Sequence, residues 1–95
     1  MIYNHQYDFF LVTDEDTGDH HLFTIWLNAA QFIYDQMVEW GALVYDKDNN
    51  LISIKDISFY DFFRLDLTEV NELTESYFSI EKIQFADRNG LFGRD

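Results

Sequence analysis

The stretch NAAQFIYDQMVEWG at residues 28–41 decides the fold, because it predicts a helix with one strongly apolar face. Asn28 is a suitable N-cap, since its side-chain oxygen can accept a hydrogen bond from a first-turn amide. Gly41 suits the left-handed position that follows a helix end. Four residues at helical spacing form the apolar face: Ala29, Ile33, Met37 and Trp40. This face has to be covered, so we expect the rest of the chain to supply strands that pack on it.

Two hairpins are predicted to flank this helix. Residues 2–13 and 20–27 are rich in β-forming side chains and enclose an acidic turn at 14–19, whose glycine can take a positive φ. Residues 42–47 and 51–55 enclose the sequence Asp-Asn-Asn, and these residue types tolerate left-handed turn geometry.

The segment 67–77 predicts a second helix, with Thr68 as its N-cap. Its apolar stripe consists of Leu67, Val70, Leu73 and Tyr77. The preceding segment, 56–64, is either a short helix that begins at Asp56 or Ser58, or an irregular aromatic segment.

Together these elements predict a single acidic α+β domain over residues 1–95. In residues 78–86, apolar and polar side chains alternate well enough to predict a last strand. Residues 87–90 predict a turn. Because consecutive hairpins can pair directly, we expect a small two-layer sandwich, in which two helices pack on a mostly antiparallel sheet.

The composition describes a globular protein that is also strongly anionic. Disordered acidic chains are poor in aromatic residues, whereas 19% of this chain is Phe, Tyr or Trp. Eighteen Asp and Glu against six Lys and Arg give a net charge of −12, more than solubility requires. The chain has no Cys, no long apolar run and no basic, apolar start of a signal peptide, so we expect a cytoplasmic location.

One acidic turn resembles a calcium loop in part. Asp46, Asp48 and Asn50 occupy the first, third and fifth positions of that pattern. The pattern then requires Gly and Glu where this chain has Leu51 and Ile57, so a hairpin turn explains the sequence better.

Catalytic groupings are incomplete as well. His20 and His21 are adjacent in a predicted strand, so they point to opposite faces and cannot jointly hold one metal. A two-metal nuclease needs a second carboxylate where Ser53 stands, and the chain has neither a Gly-x-Ser-x-Gly motif nor a phosphate-binding glycine loop. We therefore expect no enzyme activity, no catalytic residue, no cofactor and no metal site.

The acidic residues form three groups that we predict to bind a partner. An ordinary solvated surface is the simpler explanation, but exposed helices usually mix charges of both signs. Here no Lys or Arg lies between Arg64 and Lys82. The predicted partner-binding residues are Asp14, Glu15, Asp16 and Asp19 in the first turn, Asp46 and Asp48 in the second hairpin, and Asp66, Glu69, Glu72 and Glu75 on the second helix.

Carboxylates at fixed spacing on a rigid fold can present a field similar to that of a DNA duplex. In size, charge, aromatic content and the acidic runs at 14–19 and 66–75, the chain resembles the DNA-mimic proteins of phages. These include anti-restriction proteins such as Arn and several anti-CRISPR inhibitors. The resemblance implies a phage protein that acts in the host cell and evades host defence. It would inhibit a basic nucleic-acid-binding protein, such as a restriction nuclease, a CRISPR effector or a nucleoid protein, without binding nucleic acid or a membrane.

Two other functions are compatible with the same composition. One is an immunity-type protein that neutralises a single basic toxin through a shape-matched interface with aromatic hot spots. The other is an acidic structural domain. We also expect a homodimer, because several aromatic residues exceed what one thin sandwich easily buries: Tyr7, Phe9, Phe10, Phe59, Tyr60, Phe62 and Phe63.

Overall fold

The computed structural model describes residues 6–86, and within that range the side chains of residues 9–83. The described part contains five strands and three α-helices, and a turn of 3-10 helix at Ile54–Asp56 follows the fourth strand. The elements are β1 (Gln6–Asp14), β2 (His20–Phe23), α1 (Trp26–Trp40), β3 (Leu43–Tyr45), β4 (Leu51–Ser53), α2 (Phe59–Phe63), α3 (Leu67–Thr74) and β5 (Phe78–Ala86). The predicted α+β class is confirmed. The predicted turn at 87–90 and the start of the first predicted strand lie outside the described residues.

The strands form two antiparallel sheets. One has the order β2-β1-β5, and the other contains only β3 and β4. Both predicted hairpins are present: Phe10 to Thr13 pair with Phe23 to His20, and Leu43 to Tyr45 pair with Ser53 to Leu51. β1 also pairs along its whole length with β5. The ambiguous segment 56–64 supplies the short helix α2, which Ser58 caps by accepting a hydrogen bond from the Asp61 amide at 3.1 Å.

Helix α1 begins earlier than its sequence predicts. Trp26 is its first residue and Ile25 stands at the N-cap position without a side-chain hydrogen bond, so the prediction that Asn28 caps the helix is wrong. The reason is tertiary packing. The indole N–H of Trp26 donates to the Phe63 carbonyl at 3.1 Å, and its ring lies 5.3 Å from that of Phe10. These contacts favour a helical start at residues where local sequence favours a strand, and β2 accordingly ends at Phe23.

The other end of α1 and three of the four residues of its predicted apolar face follow the prediction. Gly41 takes φ 64°, and the chain turns there into β3. Ala29, Ile33 and Met37 are fully buried. Trp40 remains 45% exposed, and its ring stacks on Phe78 at a centroid distance of 5.5 Å. The helix therefore covers the inner face of the three-stranded sheet, as a two-layer arrangement requires.

Helix α3 is shorter than predicted and is capped by a different residue. Its N-cap is Asp66 instead of Thr68, because the Asp66 carboxylate accepts the Glu69 amide at 2.8 Å. The helix ends at Thr74, whose buried hydroxyl donates to the Val70 carbonyl at 2.8 Å.

The side chain of Asn71 joins α3 to the outer edge of β5. Its amide oxygen accepts the Ile80 N–H and its amide nitrogen donates to the Ile80 carbonyl, both at 2.8 Å. The side chain thus occupies the place of a neighbouring strand at that position and fixes α3 beside the sheet. The surfaces of α3 and of its neighbour β3 carry the candidate site.

Candidate protein-binding surface

The first acidic turn uses one of its four carboxylates to hold its own backbone. Asp14 is half-buried, and its Oδ1 accepts the amides of Asp16 at 2.9 Å and Thr17 at 3.3 Å. Gly18 takes φ 79° in this turn, as predicted. The side chains of Glu15, Asp16 and Asp19 are exposed. Asp14 is therefore a turn-forming residue, and the other three carboxylates are accessible to a partner.

In the second hairpin, too, one acid bonds to backbone amides of the turn and the other is exposed. Asp46 is half-buried, and its Oδ1 accepts the amides of Asp48 at 2.9 Å and Asn50 at 2.8 Å. Asn49 takes φ 66°, the left-handed geometry for which Asn is suited. Asp48 is exposed.

On α3, the first two acids form a capping box. Asp66 accepts the Glu69 amide, and the Glu69 carboxylate accepts the Asp66 amide at 3.0 Å. Glu69 is half-buried, whereas Glu72 and Glu75 are exposed. Four of the predicted partner-binding residues are thus engaged by the backbone: Asp14, Asp46, Asp66 and Glu69. The other six are exposed, and no backbone amide of the described residues is bonded to their carboxylates: Glu15, Asp16, Asp19, Asp48, Glu72 and Glu75.

The fold brings acids of two of these segments, the second hairpin and α3, to one groove. The Glu15 amide donates to the Tyr77 carbonyl at 3.0 Å, which places the first turn beside the short connection between α3 and β5. Asp46 lines an open groove of about 740 Å³ together with Glu69, Glu72 and Glu75. Acids that are far apart in the sequence therefore lie on adjoining surfaces.

The groove also has an apolar component that the sequence analysis missed. Leu43 and Tyr45 line it from β3 and are 52% and 61% exposed, and Leu65, Leu73 and Tyr77 line it from the other side. The alternation of exposed Leu43 and Tyr45 with buried Val44 was a signal for a strand with an apolar outer face. A cation, Lys47, lines the groove as well. The surface is therefore suited to a partner that carries both positive charge and apolar groups.

The histidines take separate positions. The Nδ1 of His20 lies 3.0 Å from the Thr13 hydroxyl, and the ring of His21 packs on Phe32 on the opposite, helix-covered face. Within the described residues, no group of three or more His, Asp or Glu could hold a metal ion. No helix in the described part of the chain is long and apolar enough to cross a membrane.

No family model matches the chain, and neither a curated protein nor a solved structure matches it.

The contrast between the two hairpin acids gives a first prediction. Asp46→Ala is expected to lower the free energy of unfolding by about 1–2 kcal/mol, because two turn amides lose their acceptor. Asp48→Ala, at an exposed position of the same turn, is expected to stay within about 0.5 kcal/mol of the wild type. Urea denaturation of both variants measures the difference. Equal losses would contradict the division into turn-forming and exposed carboxylates.

Proposed function

We propose that the protein is a non-enzymatic, acidic DNA mimic that inhibits a basic nucleic-acid-binding protein of its host. Restriction nucleases, CRISPR effectors and nucleoid proteins are the candidate targets. The observation that supports this most is that exposed carboxylates from two chain segments lie near the junction of α3 and β5: Glu72 and Glu75 line the groove, and Glu15 belongs to the turn that is bonded to Tyr77. We call these three residues, Glu15, Glu72 and Glu75, the acidic rim.

The physical basis is competition for a surface that evolved to bind phosphates. A duplex carries one negative charge per ~1.7 Å of its axis, and its partners carry Lys and Arg in complementary grooves. A domain of net charge −12 is attracted to such grooves and repelled by nucleic acid and by anionic membranes. Since attraction between exposed charges is screened by salt, the affinity should fall as ionic strength rises. A cytoplasmic location in the host cell would place the protein beside these targets.

An immunity-type protein that neutralises one basic toxin is the second candidate. The exposed side chains of Leu43 and Tyr45 in the groove support it, because aromatic residues in interfaces are frequent hot spots. Such a complex would rely more on shape and desolvation, so it would resist salt.

A displacement assay distinguishes these functions. A fluorescent duplex is bound to each of a restriction nuclease, a CRISPR effector and a nucleoid protein, and its anisotropy is followed as the acidic protein is added. We expect release of the duplex from at least one of them at low salt, and weaker release at high salt. Failure to release it from any of the three would contradict mimicry. Binding of a single basic nuclease toxin that persists at high salt would favour the second candidate.

The homodimer stays a prediction, although several of the aromatic residues on which it is based are accommodated within one chain. Phe62 is fully buried, and Phe10, Phe59 and Phe63 pack against the core, so these four rings have a place within one chain. Tyr60 is 65% exposed, and the side chain of Tyr7 lies outside the described range.

A further inference from the structure

The outer edge of β3 has backbone groups that point away from the sheet. Asp46 donates its amide to the Asn50 carbonyl at 2.9 Å, so these residues form a hydrogen-bonded pair. Bonded and non-bonded pairs alternate along an antiparallel ladder. Val44 and Ile52 are therefore the next bonded pair, and Tyr45 occupies a non-bonded position opposite β4. The N–H and C=O of Tyr45 consequently point outward.

Leu43 is the other residue of this edge whose backbone groups point outward, and its N–H is already engaged. The Leu43 amide donates to the Tyr77 hydroxyl at a distance of 3.3 Å. Among the residues that the structure describes, no group is bonded to the outward N–H or C=O of Tyr45. A strand edge with an unbonded N–H and C=O can pair with an added strand.

This edge borders the groove directly. Five consecutive residues, 43–47, line it. Alternate residues of a strand point to opposite faces of the sheet, so one face alone would contribute only every second residue. The uninterrupted run means that the backbone edge of β3, and not merely one of its faces, forms a wall of the groove.

The opposite wall supplies both carboxylates and apolar groups. Glu69 and Glu72 line it from α3 and Glu75 from the C-cap of that helix, and Leu65 and Leu73 are half-buried beside them. An extended segment directs alternate side chains to opposite sides. Lys or Arg side chains of such a segment would meet the carboxylates, and its apolar side chains would meet the leucines.

We propose that an extended, basic segment of the target adds to the free edge of β3 as a third strand, in the groove between β3 and α3. This inference rests on the proposed function, in that it names the kind of segment that the inhibited protein contributes. Main-chain hydrogen bonds to the N–H and C=O of Tyr45 supply part of the affinity, and the alternating side chains supply the specificity. A helical segment satisfies its own backbone and would leave this edge unpaired.

The test uses a short peptide of alternating lysine and valine, and a control peptide of equal charge with its lysines and alanines in a helical pattern. Tyr45→Pro removes the outward N–H but no bond to β4. Edge strands tolerate proline at a position of this kind. Tyr45→Val is the matched control, since it loses the same ring but keeps the N–H. We expect the alternating peptide to bind Tyr45→Pro about tenfold more weakly than Tyr45→Val.

Hydrogen exchange of the Tyr45 amide in the wild-type protein gives a readout that does not depend on any variant. The alternating peptide is expected to slow this exchange, and the helical control is not. An unchanged exchange rate at saturating alternating peptide, or equal binding to the two variants, would overturn the inference. If the edge inference failed while the protein still displaced a duplex, the proposed function would stand. Protection of Tyr45 without any displacement would leave the edge inference standing and refute mimicry.

Discussion

Neutralising the acidic rim is expected to weaken binding to the DNA-binding target by roughly tenfold at low salt. The variant carries Glu15→Gln, Glu72→Gln and Glu75→Gln, all at exposed positions. Each exposed charge contributes about 0.5 kcal/mol, and 1.4 kcal/mol is tenfold in affinity. The loss should appear mainly as slower association, because rim charges act by steering the encounter. The dependence of affinity on salt should flatten accordingly.

A control variant that loses the same number of charges elsewhere separates the effect of their position from the effect of net charge. Asp35→Asn, Glu39→Gln and Asp61→Asn remove three exposed charges from α1 and α2, and none of these residues lines the groove. The Asp35 carboxylate accepts Gln31 Nε2 at 2.8 Å, a bond that the Asn oxygen can retain. Both triple variants should keep the wild-type melting temperature, since relief of like-charge repulsion is neutral or mildly stabilising. Equal weakening by both would show that net charge alone drives binding, and would refute the assignment to the acidic rim.

The largest effect on stability is expected for Phe62→Ala. Phe62 is fully buried, and its ring lies 5.5 Å from that of Tyr34 at the junction of α1 and α2. Removing a buried Phe typically costs about 3–5 kcal/mol, a large part of the ~5–15 kcal/mol that stabilises a small domain. A urea denaturation curve should therefore shift to a much lower midpoint.

Tyr60 provides the comparison on the same helix. It is 65% exposed, and the Arg64 guanidinium lies 5.2 Å from its ring centre. Tyr60→Ala is expected to cost at most about 1 kcal/mol, the value of an exposed cation–π contact. Similar midpoints for Phe62→Ala and Tyr60→Ala would contradict the placement of Phe62 in the core.

Sequence reasoning succeeded where local backbone geometry decides the structure. Gly41, Gly18 and Asn49 all take the left-handed conformations that their residue types favour. It failed at the start of α1, where the indole of Trp26 bonds to a carbonyl far along the chain. No local signal reports such a contact, so Asn28 was favoured for its own chemistry alone.

The candidate site was predicted only in part, for a related reason. Sequence spacing shows where carboxylates are, but not whether the backbone already uses them. The Asp66-x-x-Glu69 pattern is a recognisable capping-box signature, so the roles of these two residues were within reach of the sequence. The groove was not, because it depends on β3 and α3 lying side by side. Its apolar half therefore emerged only from the fold.

The pairing of β1 with β5 has a consequence for how the protein is made. These are the first and last of the described strands, and they join over nine residue pairs from Gln6–Ala86 to Asp14–Phe78. During synthesis, β1 leaves the ribosome well before β5 exists, since translation adds roughly 5–20 residues per second. Until then one long edge of β1 has no native partner. The domain therefore completes its sheet only after β5 has emerged, and incomplete nascent chains expose an aromatic-rich strand to chaperones and to one another.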